Sequence, residues 1–235
     1  MSQSLRVVRV GSGHDRRRWL AHCTALATLA ALACAMPHGA AWAAAPGKAS
    51  LQTVLVVGDS LSAEYGLQRG SGWVALLAAR LTQRPTAATV VNASISGDTT
   101  SGGRSRLPQL LAQHRPAIVI LELGGNDALR GLPLTMTRDN LAAMAQAAKA
   151  AGARVVVVGM QVPPNYGRQY GAEFAGLFAA VAKAQGTALV PFLLDGIVDG
   201  PQAEAMFQPD RIHPKEAAHP VMLANVWRVL EPLLR

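Results

Sequence analysis

Five short apolar runs, at 53–58, 89–93, 117–123, 154–159 and 188–192, constrain this chain more than any other feature. Each is nearly continuous in Val, Ile, Leu or Ala and lacks polar alternation, the pattern of a strand buried on both faces. Between them lie stretches with helical apolar spacing, near 72–82, 101–113, 137–151 and 172–185, and a last one near 215–234. Strands that alternate with helices predict an α/β protein, a doubly wound parallel sheet with helices on both sides. Such a sheet gathers its functional residues just outside the carboxyl ends of the strands, where loops meet helix N-termini.

The formal charge of +8 over 235 residues first suggests nucleic acid or anionic lipid as a partner. The charge is unevenly placed. Residues 1–43 hold Arg6, Arg9, Arg16, Arg17 and Arg18 against one acid, Asp15, and continue into an Ala/Leu-rich run that ends at Ala41-Trp42-Ala43. A basic start, an apolar middle and a small-residue exit predict a secretory signal peptide over 1–43, cleaved near Ala43, and hence a periplasmic or secreted protein with no stable membrane anchor after cleavage. Residues 44–52 read as a linker, and 53–235 as one domain. Without the leader the net charge is +4, its basic residues are scattered, and few aromatics accompany them, so a nucleic-acid module is not expected. Both cysteines, Cys23 and Cys34, fall in the leader; the remainder can hold neither a disulfide nor a thiol nucleophile.

The unusual polar residues do fall at the predicted strand ends. The first strand runs into Gly58-Asp-Ser-Leu-Ser62, which would set Ser60 on a sharp turn at the sheet edge; the same serine would serve equally as a helix N-cap. The second leads to Ser94-Ile-Ser-Gly-Asp-Thr99, where Gly97 allows close backbone approach or simply makes a turn. After the third come Gly124-Gly-Asn-Asp127, which present the Asn126 amide either to a developing negative charge or to its own backbone. Near the end stands Pro209-Asp-Arg-Ile-His-Pro214, in which a carboxylate three residues before an imidazole can fix its orientation and tautomer. A serine hydroxyl needs such a base to become a nucleophile. His114 and His219, the other histidines beyond the leader, read as surface or packing residues.

Taken together and in this order, these segments resemble the SGNH, or GDSL-type, hydrolase superfamily, and most closely its bacterial periplasmic branch of thioesterase I, lysophospholipase and arylesterase enzymes. Leu129-Arg-Gly131, Pro164-Asn-Tyr-Gly-Arg168 and Ile212-His-Pro214 look like the same branch. The resemblance implies a three-layer α/β/α, flavodoxin-like sheet of five parallel strands. It implies Ser60 as nucleophile, His213 as general base and then acid, and Asp210 as its partner, with Ser60 N–H, Gly97 N–H and the Asn126 side chain as the oxyanion hole. No metal or organic cofactor is expected. The expected activity is hydrolysis of carboxylic esters and thioesters of small-molecule acyl substrates, with Leu129, Val162, Pro163, Tyr166 and Tyr170 as candidate contacts for the acyl group.

Two other readings stand beside it. A carbohydrate O-deacetylase of the same superfamily would use the same residues, but beyond the leader only Trp73 and Trp227 are available for stacking on a sugar. A non-catalytic anion-binding module would use the turn at Ser60, and would leave Asn126, Asp210 and His213 without a task.

Overall fold

A computed structural model describes residues 52–84 and 88–234. The expected leader, and all of the expected linker except Gln52, lie outside the described residues. Five parallel strands, β1 Gln52–Gly58, β2 Ala88–Asn92, β3 Ile118–Glu122, β4 Arg154–Val158 and β5 Ala188–Val190, form one sheet in the order β2-β1-β3-β4-β5. The order reverses between β1 and β3, which pair from Val54↔Ile118 to Gly58↔Glu122. A crevice opens at the carboxyl edge of such a reversal, because the chains leaving the two strands turn to opposite faces.

The sheet separates two apolar cores. Val54, Val56, Ile118, Ile120, Val156 and Val158 point to one face and pack beneath α1 (Trp73–Thr82) and α6 (His219–Leu230). Leu55, Val57, Val119, Leu121, Val155 and Val157 point to the other, beneath α2 (Thr100–His114), α4 (Leu134–Ala150) and α5 (Arg168–Gln185). A short helix, α3 (Gly125–Leu129), precedes α4. Burying each of these side chains favours the folded chain by about 1.5–3 kcal/mol, so the registers of β1, β3 and β4 are strongly specified.

The expectation of strands buried on both faces holds for β1, β3 and β4 and not for β2 and β5, which stand at the sheet edges and are partly exposed. Strand β5 is also shorter than expected, ending at Val190; the next residue, Pro191, has no N–H to continue the ladder. Helix α4 starts at Leu134, directly after Pro133, and α5 at Arg168, so both extend further toward the N-terminus than their apolar spacing suggests. The last expected helix is divided into a 3-10 turn Glu216–Ala218, α6, and a second 3-10 turn Glu231–Leu234.

His219 is a packing residue, as expected. It is buried, and its Nδ1 accepts the N–H of Trp73 at 3.0 Å, which satisfies one free donor at the start of α1. His114 is half-buried at the end of α2.

Candidate active site

Ser60 lies two residues past β1, at the order reversal, in a turn closed by N–H donation from Ser62 and Ala63 to the Asp59 carbonyl. Its Oγ is 2.9 Å from His213 Nε2, across 153 residues of sequence, and His213 Nδ1 is 2.6 Å from Asp210 Oδ2. Asp210 Oδ1 accepts the N–H groups of Ile212 and His213, both at 3.0 Å, so the 210–213 turn holds its own carboxylate. Partial desolvation works to raise the pKa of Asp210, but the two N–H donors and the imidazole outweigh it and hold the carboxyl below its ordinary value. A carboxylate only accepts. Nδ1 therefore carries the proton, and Nε2 is left free to accept from the Ser60 hydroxyl.

The turn is fastened on its far side too. Gln208 N–H donates to the His213 carbonyl at 2.8 Å, Lys215 N–H to the Met206 carbonyl at 2.7 Å, and Phe207 and Pro214 form an antiparallel bridge.

The three expected donors follow three neighbouring strands: Ser60 after β1, Gly97 after β2 and Asn126 after β3. Among the described residues neither the Ser60 N–H nor the Gly97 N–H has an acceptor. Gly97 has φ +79°, a conformation that strains any residue with a Cβ. Its carbonyl accepts from Arg130 at 2.7 Å, which ties the loop after β2 to the end of α3. The third donor, Asn126, sits in α3 directly after β3, and its Nδ2 donates to Asp59 Oδ2 at 3.0 Å. One amide hydrogen is thus occupied and its orientation set; the other is free to point elsewhere.

Beneath these donors is a network the sequence reading did not single out. Asp59, buried between Gly58 and Ser60, also accepts the Leu61 N–H at 3.0 Å. Its own N–H donates to Glu122 Oε2 at 3.2 Å, and the Ser62 hydroxyl donates to the same oxygen at 2.5 Å. Trp73 Nε1 in turn donates to Ser62 Oγ at 3.2 Å. Desolvation pushes Asp59 up to about 6, against the Leu61 N–H, the His213 charge and the Asn126 amide. Burial, reinforced by the charge of Asp59, pushes Glu122 well above the usual carboxylate range. Asp127 is a third buried acid: it accepts the Thr100 N–H at 2.9 Å and the Thr100 hydroxyl, and so joins α3 to the start of α2 beside Gly97. The signal for Asp59 and Asp127 was present as acids inside glycine-rich turns. That they act as acceptors for partners 67 and 27 residues away was not.

A cavity of about 570 Å³ opens next to the row of Ser60, His213 and Asp210. Leu61, Gly125 and Ile212, each adjacent in sequence to Ser60, Asn126 or His213, line it, together with Leu129, Met160, Val162, Pro163 and Phe192. Of the expected acyl contacts, Leu129, Val162 and Pro163 are therefore in its wall. Tyr166 and Tyr170 are not. They lead an aromatic row that starts in the 3-10 turn Pro164–Tyr166 and continues along α5, Tyr166 on Tyr170 at 6.1 Å, Tyr170 on Phe174 at 6.5 Å and Phe174 edge-on to Phe178 at 5.2 Å. On α5 the four-residue spacing puts Tyr170, Phe174 and Phe178 on one helix face, with the two phenylalanines buried in the core and Tyr170 half-buried against it.

A row of hydroxyl, imidazole and carboxylate at the strand ends of a parallel α/β sheet, with free donors and an apolar cavity beside it, belongs to the class of serine-type acyl hydrolases. The sequence pattern of the GDSL-like Lipase/Acylhydrolase family matches residues 56–221, and the chain belongs to that family. It is similar to the Esterase TesA of Pseudomonas aeruginosa, with 54% identity over 80% of this chain and 92% of the relative. It is also similar to the Thioesterase 1/protease 1/lysophospholipase L1 of Escherichia coli, with 40% identity over 79% of this chain and 86% of that one. The crystal structure of TesA superposes with a TM-score of 0.74 at 53% identity, covering 77% of this chain and 99% of the other.

Proposed function

We propose that the protein cleaves carboxylic esters and thioesters through an acyl-enzyme on Ser60. His213 Nε2 takes the hydroxyl proton as Ser60 Oγ attacks the carbonyl carbon, and Asp210 stabilises the imidazolium that results. The Ser60 and Gly97 N–H groups and the Asn126 amide receive the oxyanion; a single well-aimed donor of this kind lowers the barrier by about 3 kcal/mol. His213 then gives its proton to the departing alcohol or thiol, and a water activated by the same imidazole releases the acid. The acyl chain lies in the cavity between Leu129, Val162 and Pro163.

The observation that carries this reading is the continuous row from Ser60 Oγ through His213 to Asp210, at 2.9 and 2.6 Å, beside two backbone N–H groups without acceptors among the described residues. Esterase and thioesterase are also the printed activities of relatives that cover most of the chain. A fluorophosphonate should label Ser60, as read by mass spectrometry, and Ser60→Ala should lose both the label and hydrolysis of p-nitrophenyl esters. Full hydrolysis by Ser60→Ala would refute the assignment.

No helix among the described residues is long and apolar enough to cross a membrane. The basic-then-apolar segment ending at Ala41-Trp42-Ala43 supports an exported enzyme that acts in the periplasm or outside the cell once residues 1–43 are removed.

A further inference from the structure

Tyr65 lies against the proposed base. Its ring centroid is 4.4 Å from that of His213, with the planes tilted by 40°. Tyr65 is also 50% exposed, so one part of the ring meets the imidazole and another meets solvent. The backbone around it is tightly specified. Glu64 and Gly66 on either side have φ +60° and +70°, a conformation disfavoured at glutamate. The Glu64 carboxylate compensates by accepting the N–H groups of Gly70 at 3.0 Å and Gly72 at 2.9 Å. A Cβ at Gly66 would fall 2.2 Å from Gln208 Oε1, and Gln208 Nε2 donates both to the Tyr65 carbonyl at 2.9 Å and to the Pro214 carbonyl at 3.3 Å. The turn at 64–66 is thus bound to the segment that carries His213, and the position of one half-open ring is the result.

The two sides of the site differ in what they present. Leu61, Gly125, Leu129 and Ile212 wall the cavity that takes the acyl chain, and Tyr65 is not part of that wall. The departing alcohol or thiol must lie within hydrogen-bond reach of His213 Nε2 to receive its proton, which places it beside the Tyr65 ring. We propose that Tyr65 is a specificity-determining residue for the leaving group: its open part is a stacking platform that favours flat, apolar alcohols such as phenols over small alkanols. This rests on the reading of His213 as the acid that protonates the leaving group.

A ring that served only to steady His213 would leave a different signature. A phenol, with a pKa of about 10, departs with less help from a general acid than an alkanol does. Disturbing His213 therefore harms alkyl esters at least as much as aryl esters, whereas removing a platform harms aryl esters more.

The test is kcat/KM of the purified protein for phenyl acetate and ethyl acetate, which share an acyl group, in wild type, Tyr65→Phe, Tyr65→Leu and Tyr65→Met. Tyr65→Leu and Tyr65→Met should lose about 3- to 10-fold on phenyl acetate, the range of an aromatic pair, and under about 2-fold on ethyl acetate. Tyr65→Phe should keep both. Retained ethyl acetate turnover reports that a variant is folded, and two aliphatic replacements guard against one that is not. An equal loss on both esters in a variant with wild-type Tm, or a larger loss on ethyl acetate, overturns the platform while leaving the ester-hydrolase reading intact. Absence of wild-type turnover on both esters overturns both readings.

Discussion

Asp59 and Asn126 act as a unit. Because one Asp59 oxygen accepts from Leu61 and the other from Asn126, an amide at position 59 cannot replace it. Asp59→Asn would have to turn its NH2 toward either the Leu61 N–H or the Asn126 NH2, a donor facing a donor. We expect kcat on p-nitrophenyl acetate to fall about 10- to 100-fold with KM little changed, somewhat less than outright loss of an oxyanion donor costs. An unchanged kcat would show that Asn126 is oriented without Asp59. The same carboxyl has a stability signature whose sign is fixed. Its folded value of about 6 lies above the ordinary 3.8, so between these limits the folded state holds a proton the unfolded chain has released. Wild-type stability from this group is therefore greatest below about 4 and declines as pH rises to about 6. Melting curves of wild type and Asp59→Asn should diverge most at pH 4, in favour of wild type, and that difference should shrink toward pH 7; a widening difference would refute the assignment. Ser60, His213 and Asp210 were readable in the sequence because each stands in a short motif with its turn residues. Asp59, Glu122 and Tyr65 were not, since their work depends on desolvation or on partners far along the chain, which a local pattern does not encode.

At the scale of elements, the loop after β2 illustrates how a donor is held without a regular structure of its own. Arg106 on α2 donates to Asp98 Oδ2 at 2.8 Å, to the Ala93 carbonyl, and at 3.4 Å to the Gly58 carbonyl, so one guanidinium joins the ends of β1 and β2 across the Gly97 loop. Both charged side chains are largely buried, so removing one leaves the other without its opposite charge. Arg106→Ala should cost about 2 kcal/mol in a denaturant titration, the scale of a charged hydrogen bond lost in a shielded site. It should also lower kcat more than it raises KM, as Gly97 drifts; a variant stable and active as wild type would mean the loop is held by Asp127 and Arg130 alone. Strands β1, β3 and β4 were legible because each side of the sheet demands an apolar residue. The edges were less so: β2 and β5 carry the same residue types but meet a neighbour on one side only. Helix α3 was hidden in a glycine-rich segment of five residues, too short for a period to show.

For the whole molecule, the strongest expectation concerns its boundaries. The exported form should begin at Ala44, which intact-mass measurement would read directly; a start elsewhere would relocate the leader. No disulfide can then help to hold the remainder together, since Cys23 and Cys34 both precede Ala44. The three-layer architecture and its single reversal point are properties of the alternating pattern along the whole chain, which is why they were readable before any side chain was placed. The distance along the chain between Ser60 and His213 has a consequence in time. Ser60 is set by the first strand of the sheet, whereas its base arrives with the turn just before the last helix. By the proposed mechanism, a chain still being synthesised can finish its first strand and yet lack a working nucleophile, so hydrolysis has to wait until the final segment has docked.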